Sequence, residues 1–261
     1  MSELPQLPLL DPDDQPTDDV RTVLITGAAG NLGRKLRAAW ADRYEIIPID
    51  AKVDLDDPDL IVADLAEWSE TWVDYCDETD VVIHLAANPS EHAAWEELYR
   101  PNLDALANVL LAAATAGVER FIFASSNHAM GGYRGRTGPI TEDLPPSPGN
   151  PYGATKLMGE RLGRSAAAAF GLTFLGLRLG WCQPGENRPE TLPDDWSRSI
   201  WLSNRDFVQL LTRAVEAELE PGAFVIVNGI SRNAGTRWSL AEAERVLGYV
   251  PEDGIGGERP S

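Results

Sequence analysis

Tyr152 and Lys156 stand four positions apart in "NPYGATKLMGE", residues 150–160. On a helix that spacing puts both side chains on one face, with Cβ atoms about 5–6 Å apart. A free phenol has a pKa of roughly 10, and a nearby ammonium together with the positive end of a helix dipole favours its phenolate. Tyr152 is therefore expected to serve as an acid or base near neutral pH. Ser126 closes the run "FASS" 26 positions earlier and is expected to face the tyrosine. Tyr-x-x-x-Lys is a short pattern that also describes an ordinary exposed pair. Its meaning depends on the elements that hold it.

Asn150 followed by Pro151 reads as an N-cap with proline at the first helical position, and the helix should run to Ala169 with Gly171 closing it. Near the other end of the chain, "ITGAAGNLGRKL" sets Gly27, Gly30 and Gly33 between a first strand and a first helix. Such a turn lets the backbone around Asn31 and Leu32 approach a pyrophosphate, whose charge the helix N-terminus favours. Glycines there also serve close packing alone, but the place of the turn at the start of a strand–helix alternation predicts dinucleotide binding. Asp50 ends the second strand twenty positions after Gly30. A carboxylate there binds ribose hydroxyls and repels a 2′-phosphate, so NAD is expected over NADP. Asp64, in "VADLAEW", is similarly placed and would either meet the adenine amino group or cap the next helix.

From residue 20 onward short β-rich runs alternate with helical stretches. "VRTVLIT", "YEIIPID", "DLIVAD", "DVVIHLAA", "VERFIFASS" and "LTFLGLRLG" read as strands. The pattern predicts an α/β fold, a Rossmann-type doubly wound parallel sheet with a small C-terminal substrate-covering subdomain. Residues 1–19, with four prolines, six acids and no base, read as a solvated arm. Residues 20–180 read as the NAD-binding domain and 181–261 as a small substrate-binding region packed on it.

The chain has 261 residues and 43% hydrophobic content, enough for a full core. Forty-one acidic residues face 22 basic ones, and only Lys35, Lys52 and Lys156 are lysines. A net charge of −19 repels nucleic acid and anionic membranes, so neither is expected as a partner. A surface this acidic and lysine-poor suits a salt-rich cytoplasm. Two distant cysteines make no disulfide framework, and no signal peptide or membrane span is legible, so a cytoplasmic protein is expected. His84 and His92 fall in no metal-ligand spacing, and no metal is expected.

"TGAAGNLG", Asp50, "HLAA" at 84–87, Ser125 with Ser126, and "YGATK" together resemble the extended short-chain dehydrogenase/reductase family, also called the NAD-dependent epimerase/dehydratase family. The resemblance covers residues 20 to about 250. Within it, "FASSNHAMGGY" and "LRLGWCQP" look closest to uronate dehydrogenases, while "WLSNRD" and "GYVPED" are similar to haloarchaeal NAD-dependent glucose-6-phosphate dehydrogenases. Both oxidise the anomeric carbon of a sugar. The resemblance implies Ser126, Tyr152 and Lys156 as catalytic residues. It adds Leu65, Leu85, Ala86 and Ala87 to the NAD contacts, and implies a sugar pocket of Ser90, Ser126, Asn127, His128, Tyr152, Trp181 and Arg188. Trp181 departs from the small polar residue that uronate dehydrogenases carry there. The expected substrate is an anionic hexose, a sugar acid first and a sugar phosphate second, with Arg188 as a buried partner for the charge and Arg198 behind it. A nucleotide-sugar epimerase or dehydratase uses the same tyrosine and lysine, but the short C-terminal section argues against it. Relatives often pair through the helices near 92–116 and 152–170, and a homodimer is expected.

Overall fold

The structure, a computed structural model, describes residues 20–256, and the expected arm at 1–19 lies outside the described residues. Seven strands form one parallel sheet: β1 (Thr22–Thr26), β2 (Glu45–Asp50), β3 (Ile61–Val62), β4 (Val81–His84), β5 (Arg120–Ser126), β6 (Thr173–Leu179) and β7 (Phe224–Gly229). Their order is β3-β2-β1-β4-β5-β6-β7. The order reverses between β1 and β4, which opens a crevice at the strands' carboxyl ends where this architecture takes its ligands. Every residue of β4, β5 and β6 is buried, as expected for parallel strands covered on both faces.

The helices are α1 (Asn31–Trp40), α2 (Glu70–Val73), α3 (Trp95–Tyr99), α4 (Ala105–Ala116), α5 (Pro151–Phe170), α6 (Asp195–Ser199), α7 (Asn204–Glu216) and α8 (Ala241–Leu247). α1 buries Leu36 and Trp40, and the Trp40 indole N–H donates to Thr212 of α7 at 3.0 Å. α5 begins as the sequence predicts: Asn150 Oδ1 accepts from Gly153 N at 2.7 Å, and Gly171 ends the helix at φ 72°. Gly159 and Gly163 let α5 lie directly on the rings of Phe123 and Phe174, which fixes its height over β5 and β6. Among the described residues no helix is long and apolar enough to cross a membrane.

One detail differs from the sequence reading. "DLIVAD" yields only the two-residue β3, because Leu60 N is drawn into a turn by the Asp57 carbonyl and an edge strand has a neighbour on one side only. The section after residue 180 packs on the rest: β7 extends the sheet beside β6, and Leu202, Phe207, Leu210, Val227 and Tyr249 share one core with Val23 and Ile25.

Candidate active site

β5 delivers Ser125 and Ser126 to the carboxyl edge, and the first turns of α5 bring Tyr152 and Lys156 beside them. Ser126 Oγ accepts from His128 N at 3.1 Å and lies 3.3 Å from Asn127 Oδ1. The His128 ring meets the Tyr152 ring edge-on, with centroids 5.5 Å apart. Lys156 is buried, its Nζ 5.6 Å from the centre of the Tyr152 ring and 5.0 Å from that of Phe123. The structure thus gathers Ser126, Asn127, His128, Tyr152 and Lys156 in one place.

Their acidity departs from the sequence expectation. Burial pushes the Tyr152 phenol up to about 12, and the neighbouring Ser126 hydroxyl pulls the other way. Burial pushes Lys156 down to about 7. Desolvation here outweighs the ammonium and the helix dipole on which the sequence argument relied, because the packed surroundings of buried Lys156 and half-buried Tyr152 disfavour either charge. His84, expected to be structural, is fully buried between β-strand neighbours and bonded through Nδ1 to Thr26 Oγ1 at 3.0 Å; burial first, then Lys156, lowers its pKa to about 3.

The glycine turn joins β1 to α1 at the crevice. Gly27 adopts φ 71°, and a Cβ there would come within 2.8 Å of Ala86 N, so the turn presses directly on the segment after β4 that carries Leu85, Ala86 and Ala87. Gly33 is held against the Gly27 carbonyl and Ala28. No side chain caps the start of α1, and no acidic residue occupies its first turn, which leaves the N–H end of Asn31, Leu32 and Gly33 suited to a pyrophosphate. Asp50 is buried at the end of β2, with Oδ2 accepting from Ala29 N at 3.0 Å and Oδ1 from Lys52 N at 2.9 Å. These two donors aim the carboxylate along the mouth of the turn, and the residues present fit a dinucleotide. Asp64 is exposed, caps its own turn at Ala66 N and pairs with Arg100 at 2.9 Å. The Leu65 side chain belongs to the core.

On the sugar side, the turn after β4 carries Ser90, whose N–H donates to Asn88 Oδ1 at 3.1 Å. Trp181 follows β6 and is 40% exposed, with its backbone bridged to Ile200 and Leu202. Arg188 corrects the sequence reading: its side chain is 66% exposed and paired with Glu186 rather than buried at the edge of the sheet. The loop's φ-positive residue other than glycine, Asn187, is buried instead, because its amide bonds Leu202 O while its Oδ1 accepts from Trp201 Nε1 at 2.9 Å. Arg198 pairs with Asp195 one turn away on α6. Glu91, Glu160 and Arg178 also surround the site, and no short motif announces them.

The chain was compared with known proteins. The model of the NAD dependent epimerase/dehydratase family matches residues 23–191. An L-arabinose 1-dehydrogenase (NAD(P)(+)) of Haloferax volcanii is 35% identical over 247 residues, covering 88% of this chain and 96% of that protein. An NAD-dependent glucose-6-phosphate dehydrogenase of the same organism is 34% identical over 256 residues, covering 88% and 93%. The crystal structure of a glucuronic acid dehydrogenase from Chromohalobacter salexigens has a TM-score of 0.79 at 30% identity, covering 91% of this chain and 86% of that one. The chain belongs to the NAD dependent epimerase/dehydratase family.

Proposed function

We propose that this protein is an NAD-dependent dehydrogenase that oxidises C1 of a free sugar to a lactone. The observation that carries the reading is the meeting of Ser126, Tyr152 and Lys156 at the carboxyl edge of the sheet, beside the crevice lined by the glycine turn and Asp50. Relatives that match almost end to end, among them sugar 1-dehydrogenases, support the same chemistry.

The residues act as follows. Ser126 Oγ donates to the oxygen on C1 and holds it against Tyr152. Tyr152 takes the hydroxyl proton as the C1–O bond becomes a carbonyl. When bound, NAD would supply the hydride acceptor, and a positive nicotinamide near Tyr152 would favour its phenolate. Lys156 adds a second positive charge beneath the ring and a donor toward the nicotinamide ribose. Lys156 is buried and Tyr152 half-buried, which limits the access of water to the proton.

The test is NADH absorbance with free monosaccharides and with UDP-sugars. Wild type should accumulate NADH with at least one free sugar. Tyr152→Phe should lower that rate by about 10²–10⁴-fold while retaining NAD binding. No net NADH from any free sugar would sink the reading.

We also infer that the protein pairs with a second copy through α4 and α5. Leu111, Met158 and Leu162 are exposed on these helices, at 46%, 44% and 38%. Together they offer an apolar face of the kind that marks an interface.

A further inference from the structure

Glu91 lies in the turn after β4, and the fold fixes that turn relative to the catalytic helix. Buried Asn102 holds it: Oδ1 accepts from Asn88 N at 2.7 Å, and Nδ2 donates to Asn88 O and to Thr155 Oγ1, both at 3.1 Å. Thr155 sits on α5 between Tyr152 and Lys156. The Glu91 carboxylate stands 3.9 Å from His128 Nδ1, and the far side of that imidazole is the neighbour of the Tyr152 ring.

His128 does not neutralise this carboxylate. Asn150 is fixed as the cap of α5 with Oδ1 accepting from Gly153 N, so its Nδ2 is the group that faces His128 Nδ1 at 3.0 Å. An amide nitrogen only donates, which makes His128 Nδ1 the acceptor and leaves the ring's proton on Nε2. Burial also holds His128 below the usual histidine range, although Glu91 pulls it up. The cations of the surrounding loops are committed elsewhere. Arg188 pairs with Glu186, Arg134 with Asp194 and Arg198 with Asp195, while Arg237 donates to the carbonyls of Tyr133 and Arg136. Among the described residues, Glu91 has only histidines within ion-pair distance.

We infer that Glu91 sets the charge of the substrate, so that the site accepts a neutral aldose and turns away hexuronates and sugar phosphates. A sugar whose C1 hydroxyl reaches Tyr152 brings the rest of its ring past His128 toward this unpaired carboxylate. A second negative charge there is repelled, and Arg134, the arginine whose charge reaches His128, is already paired with Asp194. The inference rests on the reading of the site as a sugar C1 dehydrogenase, and it replaces the sequence-based choice of an anionic hexose held by Arg188.

The experiment measures kcat/KM for L-arabinose, D-galactose and D-glucose against D-glucuronate, D-galacturonate and D-glucose 6-phosphate, at low and at high salt, in wild type and Glu91→Gln. The expected wild-type result favours the best neutral sugar over the best anion. Glu91→Gln should move the anion-to-neutral ratio toward the anion by about five- to tenfold at low salt, chiefly through KM. The effect should shrink at high salt, because Glu91 is partly exposed and screened. Glu91→Asp, which keeps the charge, should keep the preference. A wild type that favours glucuronate or glucose 6-phosphate overturns the inference and leaves C1 oxidation standing, as does a ratio that Glu91→Gln leaves unmoved. If no free sugar reduces NAD, C1 oxidation itself falls and this inference falls with it.

Discussion

Arg178 on β6 grips Glu160 on α5 with two hydrogen bonds of 2.9 Å, Nε to Oε1 and Nη2 to Oε2, and both side chains are almost completely buried. Ser125 donates to the same Oε1 at 2.6 Å. The carboxylate thus ties together three elements of the site: the strand ending in Ser126, the helix carrying Tyr152 and Lys156, and the strand leading to Trp181.

Breaking a buried pair by removing one partner leaves the other charge unpaired, at a cost of about 3–5 kcal/mol. Arg178→Met should therefore lower the unfolding free energy by that order in urea titrations. Glu160→Gln, which keeps an acceptor for Ser125 but strands the buried Arg178 charge, should cost about as much. Equal stability of wild type and Arg178→Met would show that the pair contributes no net strength.

Turnover should report the Ser126 hydroxyl through its pH dependence. Tyr152 acts in its deprotonated form, so the rate rises with pH through its apparent pKa. Ser126 opposes the upward push of burial on that pKa. Ser126→Ala should therefore move the rising limb to higher pH as well as reduce the maximum by about 10²-fold or more. A reduced maximum with an unmoved limb would separate Ser126 from the acidity of Tyr152.

Asp50 has two duties that one substitution exposes together. Asp50→Ala removes the partner of the ribose hydroxyls and also frees Ala29 N, the donor that fixes the glycine turn. The KM for NAD should rise at least about tenfold, in line with about 1–3 kcal/mol for a lost buried acceptor. The preference for NAD over NADP should narrow. Equal use of both cofactors by the unmutated enzyme would remove Asp50 as the selecting residue.

The pairing surface is checked by mass in solution. Light scattering on wild type should give twice 28.4 kDa. Met158→Glu with Leu162→Glu should return it to the single-chain value, because burying two carboxylates across an apolar contact is strongly unfavourable. A wild type that runs as one chain ends the proposal.

The sequence disclosed the parts of this site that follow local rules. The positive-φ glycine after β1, the Asn-Pro start of α5 and the acidic end of β2 each follow from steric or capping preferences of a few residues, and each stands where it was expected. What stayed hidden depends on partners distant in the chain. The acidities of Tyr152 and Lys156 run against the local expectation because burial by the whole fold decides them. Arg188 looked like an anion binder from its place after β6, yet Glu186 two residues away claims it. Glu91 and His128 are 37 positions apart, and the pairing of β4 with β5 and the Asn102 staple help to bring them together.

One helix handles both halves of the reaction. α1 starts at the glycine turn, and from its first residues Asn31 Nδ2 donates to Cys182 O at 2.9 Å while Lys35 reaches Cys182 Sγ at 3.4 Å and Gln183 O. The loop that follows β6 is therefore fastened to the helix proposed to take the pyrophosphate. Whatever firms the start of α1 firms that loop as well. In steady-state kinetics this coupling favours a compulsory order, with the dinucleotide entering first and leaving last. NADH should then inhibit competitively against NAD and noncompetitively against the sugar.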